Sequence, residues 1–186
     1  MTPSLQDLAD QFQRLVAATE PASQPEGALS SGTLPSAAAG DKTAPAPAAP
    51  APVPPAPVQI ADYAAKGYHL DVRLGPEQVI AAAELLDKNG LSLDTITGVD
   101  WLAENQMEVV YDYFHPAANL RVVVRARVPR ATPEIPTISK VFPGANWHER
   151  ETHDFFGIRF AGHPDLTPLL LPEDATYHPL RKDFSV

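Results

Sequence analysis

Proline placement constrains this chain more than any other feature. Nearly half of its 21 prolines lie between Glu20 and Val58, culminating in Ala44-Pro45-Ala46-Pro47-Ala48-Ala49-Pro50-Ala51-Pro52-Val53-Pro54-Pro55. Each proline fixes φ and removes a backbone donor, so neither helix nor central strand can form there. So little apolar area per ordered residue predicts an extended, polyproline-like linker over residues 20–58. A proline-recognition ligand is the other reading of Pro45 to Pro55, although few basic residues flank it. Prolines return every few residues after Phe160, where a long helix or a central strand is again excluded. Regular structure is therefore expected before residue 20 and between about Ile60 and Phe160.

Setting the biased stretch aside, about 120–130 of the 186 residues remain to build a core, near the commonest domain size. The net charge of −9 gives no phosphate-neutralising surface, so nucleic acid is not an expected partner. No run approaches the ~18–20 apolar residues of a membrane span. Met1 to Asp7 has neither the basic nor the apolar region of a secretory signal, so a cytosolic location is expected. Cysteine is absent. That excludes disulfides, a thiolate nucleophile, and any thiolate-held cluster or zinc site on this chain.

Leu5, Leu8, Phe12 and Leu15 recur at three- and four-residue steps after Thr2 and Pro3. They predict an amphipathic helix within residues 1–19, capped by Thr2 and docked on a partner or on the main domain. Pro76 to Lys88 reads as a second helix, with Val79, Ile80, Ala83 and Leu86 on one stripe and Asn89-Gly90 as its stop. Leu93 to Trp101 is β-rich. In Met107 to Phe114, residues Met107, Val109, Tyr111 and Tyr113 share a face; in Leu120 to Val128, Leu120, Val122, Val124, Ala126 and Val128 do so. His115-Pro116-Ala117-Ala118 suits a hairpin loop, and symmetric closure would set Asp112 opposite Arg121 and Glu108 opposite Arg125. The expected fold class is α+β: a small helix-plus-antiparallel-sheet domain over residues 59–142, followed over 143–186 by a helix and an extended, proline-interrupted C-terminal segment.

That helix is read from Gly144-Ala145-Asn146-Trp147-His148-Glu149-Arg150-Glu151-Thr152-His153-Asp154-Phe155-Phe156-Gly157. Asn146 is the expected N-cap, Glu149 completes a capping box, and Gly157 ends the helix. Glu149–His153 and Arg150–Asp154 are i,i+4 pairs. A metal hydrolase built on His148 and His153 is a remote alternative. Zincin-like helices place two histidines four apart, whereas five residues turn these imidazoles about 140° apart. Paired-carboxylate catalysis by Glu149, Glu151 and Asp154 competes with capping and ion pairing. The tail beyond Phe160 carries Leu166, Leu169, Leu170, Leu171, Leu180 and Phe184. It is too apolar to be free, and it lies either on another protein or back on its own sheet.

Glu149-Arg150-Glu151, Asp154, Phe156-Gly157-Ile158, Phe160, Gly162-His163-Pro164-Asp165-Leu166, Leu171-Pro172-Glu173-Asp174 and His178-Pro179-Leu180-Arg181-Lys182-Asp183 together resemble the signature of the complex I 30-kDa subunit family of bacterial NADH–quinone oxidoreductases. Trp147 and Pro143-Gly144-Ala145-Asn146 also match, and the similarity extends from about Ile60 to Val186. The resemblance implies a non-catalytic structural subunit of the hydrophilic arm. It would dock on the 49-kDa-type large subunit beside a small cluster-bearing subunit, on the cytoplasmic side of the inner membrane. The chain would meet the membrane only through this proton-translocating complex. No cofactor is implied on this chain; iron–sulfur clusters and flavin, or a nickel–iron centre, belong to partner subunits. The implied interface comprises Trp147, Glu149, Arg150, Glu151, Asp154, Phe156, Gly157, His163, Pro164, Leu166, Leu171, Pro172, His178, Pro179, Leu180, Arg181, Lys182 and Asp183, with Arg159 as a further anchor. Thr167-Pro168 stands where two arginines are usual, and Ala175-Thr176-Tyr177 where tryptophan and glycine are usual. With His153-Asp154-Phe155-Phe156 and Leu169-Leu170-Leu171, these departures are closer to the homologous subunit of energy-converting nickel–iron hydrogenases.

Overall fold

The structure, a computed structural model, describes residues 3–18 and 56–185. Helix α1 (Leu5–Ala17) begins where the Ser4 hydroxyl accepts from Asp7 N–H. The cap is therefore Ser4, while Thr2 and the linker over 20–55 lie outside the described residues. Leu8 and Phe12 on its apolar stripe are fully buried. They join one continuous core with Leu70, Leu86 and Val122, so the helix spends its apolar face on its own domain. Asn89 donates to Gln11 and Gln78 to the Leu15 carbonyl, at 3.1 and 3.3 Å, which fixes its rotation.

Strands β1 (Val58–Ile60) and β2 (Leu70–Leu74) flank a single helical turn, α2 (Tyr63–Lys66). Val58, expected in the linker, belongs instead to the sheet, and Pro57 C=O accepts from Arg73. Pro76 opens a 3-10 turn that leads into α3 (Val79–Lys88). Val79, Ala82, Ala83 and Leu86 form its buried stripe. Ile80, expected there, is 39 % exposed because it falls one residue off that stripe.

Strands β3 (Ser92–Trp101), β4 (Gln106–His115) and β5 (Leu120–Pro129) form the expected antiparallel meander. The full order is β1-β2-β5-β4-β3, with β2 parallel to β5. The hairpin register differs from the symmetric expectation by two residues: Phe114 lies opposite Arg121, Asp112 opposite Val123, and Glu108 opposite Arg127. Pairing continues up to His115 and Leu120, where Ala118 N–H donates to His115 Nδ1 and Asn119 takes φ +47°. The expected charges still meet, but diagonally. Arg121 reaches Asp112 at 3.2 Å and Arg125 reaches Glu108 at 3.9 Å, while Glu108 pairs directly with Arg127 at 3.1 Å. Arg125 also holds Asp71 at 3.1 Å, so a chain of alternating charge crosses the face opposite the core.

Beyond the sheet, β6 (Glu134–Pro136) pairs in parallel with β7 (Arg159–Ala161), on either side of α4 (Ala145–Phe156). Ile135, Ile138, Ala145, Ile158 and Phe160 extend the same apolar cluster. Helix α4 packs along β3, one of the two edge strands of the sheet.

Candidate partner interface

The signature helix differs from its sequence reading at the N-terminus. Ala145 is the first helical residue, Asn146 is already inside the helix, and Gly144 caps without a side chain. Glu149 is fully buried and forms no capping box. One of its oxygens accepts from Ile138 N–H at 2.8 Å and the other from the Thr137 hydroxyl at 2.5 Å. Burial pushes this carboxyl up to about 7, outweighing the two donors that favour its ionised form. His163, whose side chain is also buried, places Nε2 3.8 Å from Glu149 and 3.2 Å from Asn146 C=O. Glu149 thus ties α4 to the chain entering it and cannot touch a partner.

Asp154 is also turned inward, 3 % exposed. Its Oδ2 accepts from three consecutive backbone N–H groups, Leu169 and Leu170 at 2.8 Å and Leu171 at 3.3 Å. Burial raises this carboxyl, but the three donors outweigh it and leave it below the ordinary carboxylate value. The expected Arg150–Asp154 pair is absent, since Arg150 donates instead to the Thr167 and Pro168 carbonyls, each at 2.9 Å. Glu149 and His153 do not pair either, because His153 Nδ1 sits 3.0 Å from Ile158 C=O.

Further stitches close the tail over the C-terminal end of α4. His178 Nδ1 lies 2.8 Å from Asp154 C=O, Leu180 N–H donates to Phe155 C=O, and Arg181 Nε donates to Phe156 C=O. Gly157, at φ +70°, ends the helix as expected, and an added Cβ there would stand 2.5 Å from His178 and Arg181. The last stitch has no counterpart in the sequence reading. Arg130 grips the buried Asp100 carboxylate with two bonds, at 2.9 and 3.1 Å, and reaches Asp183 at 2.5 Å. Lys182 N–H donates to the same Asp100 at 2.8 Å. The Arg130 bond, working against burial, keeps Asp100 below its ordinary value. An acid flanked by Val99 and Trp101 near the end of β3 is the signal for it.

Of the predicted interface residues, Trp147, Pro164, Pro172, Leu180, Lys182 and Asp183 are exposed. Arg150, Glu151, Phe156, Gly157, His163, Leu166, Leu171, His178, Pro179 and Arg181 are half-buried, while Glu149 and Asp154 are buried. The signature polar groups therefore act mostly within the chain, and Arg159 pairs with Glu134. Apolar side chains do face outward: Trp147 is 60 % exposed and Leu170 61 %, with Leu180 at 53 % and Tyr177 stacked on Phe184. Among the described residues, no group of three or more metal-ligating side chains converges. No described helix is long and apolar enough to cross a membrane.

Comparison with known proteins agrees with this architecture. The family model described as "Respiratory-chain NADH dehydrogenase, 30 Kd subunit" matches residues 72–186. A NADH-quinone oxidoreductase subunit of Roseiflexus castenholzii is 43 % identical over 119 residues, which cover 61 % of this chain and 68 % of that protein. An F(420)H(2) dehydrogenase subunit of Methanosarcina mazei is 41 % identical over 104 residues, covering 52 % of this chain and 64 % of that one. Among solved structures, a chain of the membrane-bound sulfane sulfur reductase, an archaeal respiratory membrane complex, superposes with TM-score 0.58 at 27 % identity, over 62 % of this chain and 71 % of that one. By its α+β fold, its signature helix and the match over residues 72–186, this chain belongs to the 30-kDa subunit family of respiratory-chain NADH dehydrogenases.

Proposed function

We propose that the chain is a non-catalytic structural subunit of a complex I-like NADH–quinone oxidoreductase, docked on the 49-kDa-type large subunit through the outer surface of α4 and its tail. One observation carries this reading. The tail's backbone is fastened to its own helix by Asp154, yet several of its apolar side chains are left in water. Ordering a segment while exposing Leu170, Tyr177, Leu180 and Phe184 gains nothing for a lone domain and suits a surface made to be covered. Large exposed aromatic and aliphatic anchors are the groups that dominate subunit interfaces.

In this reading the clusters and flavin reside on neighbouring subunits, including the small cluster-bearing one. The chain sits peripherally on the cytoplasmic side of the membrane, and proton translocation belongs to the whole assembly. The departures from the usual complex I pattern at Thr167-Pro168 and Ala175-Thr176-Tyr177 support a second reading, in which the large partner is of the hydrogenase type. Adjacent genes for NADH-binding subunits favour the first reading, and adjacent nickel-ligating cysteine pairs the second.

The test is the double variant Leu170→Asp/Phe184→Asp, which leaves every backbone stitch of the tail intact. In cells expressing the whole complex it should fold normally and fail to co-purify with the large subunit. Retention equal to wild type would overturn the proposal.

A further inference from the structure

One cavity beside α4 has no use in the stitching of the tail. It opens between the edge strand β3 and α4, with a volume of about 200 Å³, and Thr95, Ile96, Gly98, Glu151, Phe155 and Leu180 are among its walls. Cofactor and drug-like ligands occupy ~300–1,000 Å³, so this space suits a single side chain. The Phe156 ring lies against the backbone of Gly98, where an added Cβ would come within 2.5 Å of it.

The walls are rich in acceptors. Ile96 C=O faces α4 closely enough to receive a long 3.5 Å bond from the Thr152 hydroxyl. Alternation along an antiparallel edge turns Gly98 C=O to the same side. Glu151, half-buried at the mouth, has no hydrogen-bond or ion-pair partner among the described residues, unlike its neighbours Glu149, Arg150 and Asp154.

We infer that this cavity receives an arginine side chain of the partner subunit, its guanidinium paired with Glu151 and bonded to the β3 carbonyls. The inference rests on the docking reading above and names one contact within it. An unpartnered carboxylate calls for a cation. Several acceptors around one small space, Glu151 and the Thr95 and Thr97 hydroxyls among them, call for the five-donor guanidinium rather than a point-like ammonium. Phe155 and Phe156, both among the walls, supply aromatic surface beside it. Exposed Leu180, which lines the same cavity, continues the docking surface into it.

The test uses the full chain in its native complex, with retention of the large subunit measured over a sodium chloride series. Glu151→Gln should weaken retention about tenfold and flatten its salt dependence, and Glu151→Arg should abolish it. The free Gln variant should melt with wild type, because Glu151 holds nothing within the described chain. If both Glu151 variants retain the partner while Leu170→Asp/Phe184→Asp loses it, the arginine contact is refuted and the docking surface stands. If the Glu151 variants lose the partner and the double variant keeps it, the contact stands and the apolar surface must be redrawn. Retention by all variants overturns both.

Discussion

Replacing Asp154 with alanine removes one oxygen that collects three backbone donors from the tail. Hydrogen bonds to a charged acceptor are worth about 1.5–3 kcal/mol each. Counting only the two at 2.8 Å gives a latch of about 3–6 kcal/mol. None of the three donors belongs to a strand or helix, so their loss should open the tail locally and spare the sheet. Amide hydrogen exchange reads this directly. Protection at Leu169, Leu170 and Leu171 should fall by about two to four decades, while Val109 and Val124 in β4 and β5 keep theirs. Asp154→Asn, which keeps one neutral acceptor, should fall between. The Asp154 carboxyl lies below its ordinary value in the fold, so its contribution is complete above that ordinary value, about 3.9. It is lost as pH falls through the lowered folded value, and the wild-type tail should stay closed until then. Unchanged protection at 169–171 in the alanine variant would refute the latch. An equal drop throughout the sheet would show that tail and domain unfold as one unit.

Glu149 behaves oppositely. Raised to about 7 from 4.5, it favours the fold below 4.5, and stability is lost as pH rises toward 7. At about 1.4 kcal/mol per pH unit that gap amounts to about 3 kcal/mol. Urea titrations of wild type at pH 5 and pH 8 should show most of this difference, about 2.5 kcal/mol, and Glu149→Gln should largely abolish it. Gly157→Ala must hold a Cβ at positive φ and push His178 and Arg181 aside. A loss of about 1–3 kcal/mol in denaturant titrations is expected, with increased exchange at the tail amides. Phe12→Ala should cost about 3–5 kcal/mol, measured by thermal or urea unfolding of the isolated chain. A change below about 0.5 kcal/mol would mean α1 is not part of the core.

Much of the sheet was legible because alternation is a backbone property: every apolar residue named on the inner faces of β4 and β5 is buried. Strand β2 was missed although Leu70-Asp71-Val72-Arg73-Leu74 alternates cleanly. The hairpin register was missed because loop length alone does not show how far pairing continues past the last strand-like residue, and here His115 and Asn119 decide it. Glu149 illustrates a different limit. A glutamate three residues after an asparagine fits a capping box, and only the tertiary path of residues 137–138 turns it into a buried acceptor. Whether the tail covers its own chain or another was evenly balanced in the sequence. The structure divides the answer, with the backbone polar groups bound inward and much of the apolar surface left outward.

The parallel pairing of β2 with β5 bears on the order in which the molecule assembles. Leu70 meets Val122 and Leu74 meets Ala126, closing a loop of about 50 residues that contains α3 and the β3–β4 hairpin. The meander needs only two short turns, so its pairings carry far less closure entropy and should form first. β1 and β2 then add to the exposed side of β5, and α1 can seat Phe12 only once β2 has completed the floor beneath it. Folding speed should therefore respond to substitutions at Val109 or Val124, whereas those at Val72 or Phe12 should act on the unfolding rate.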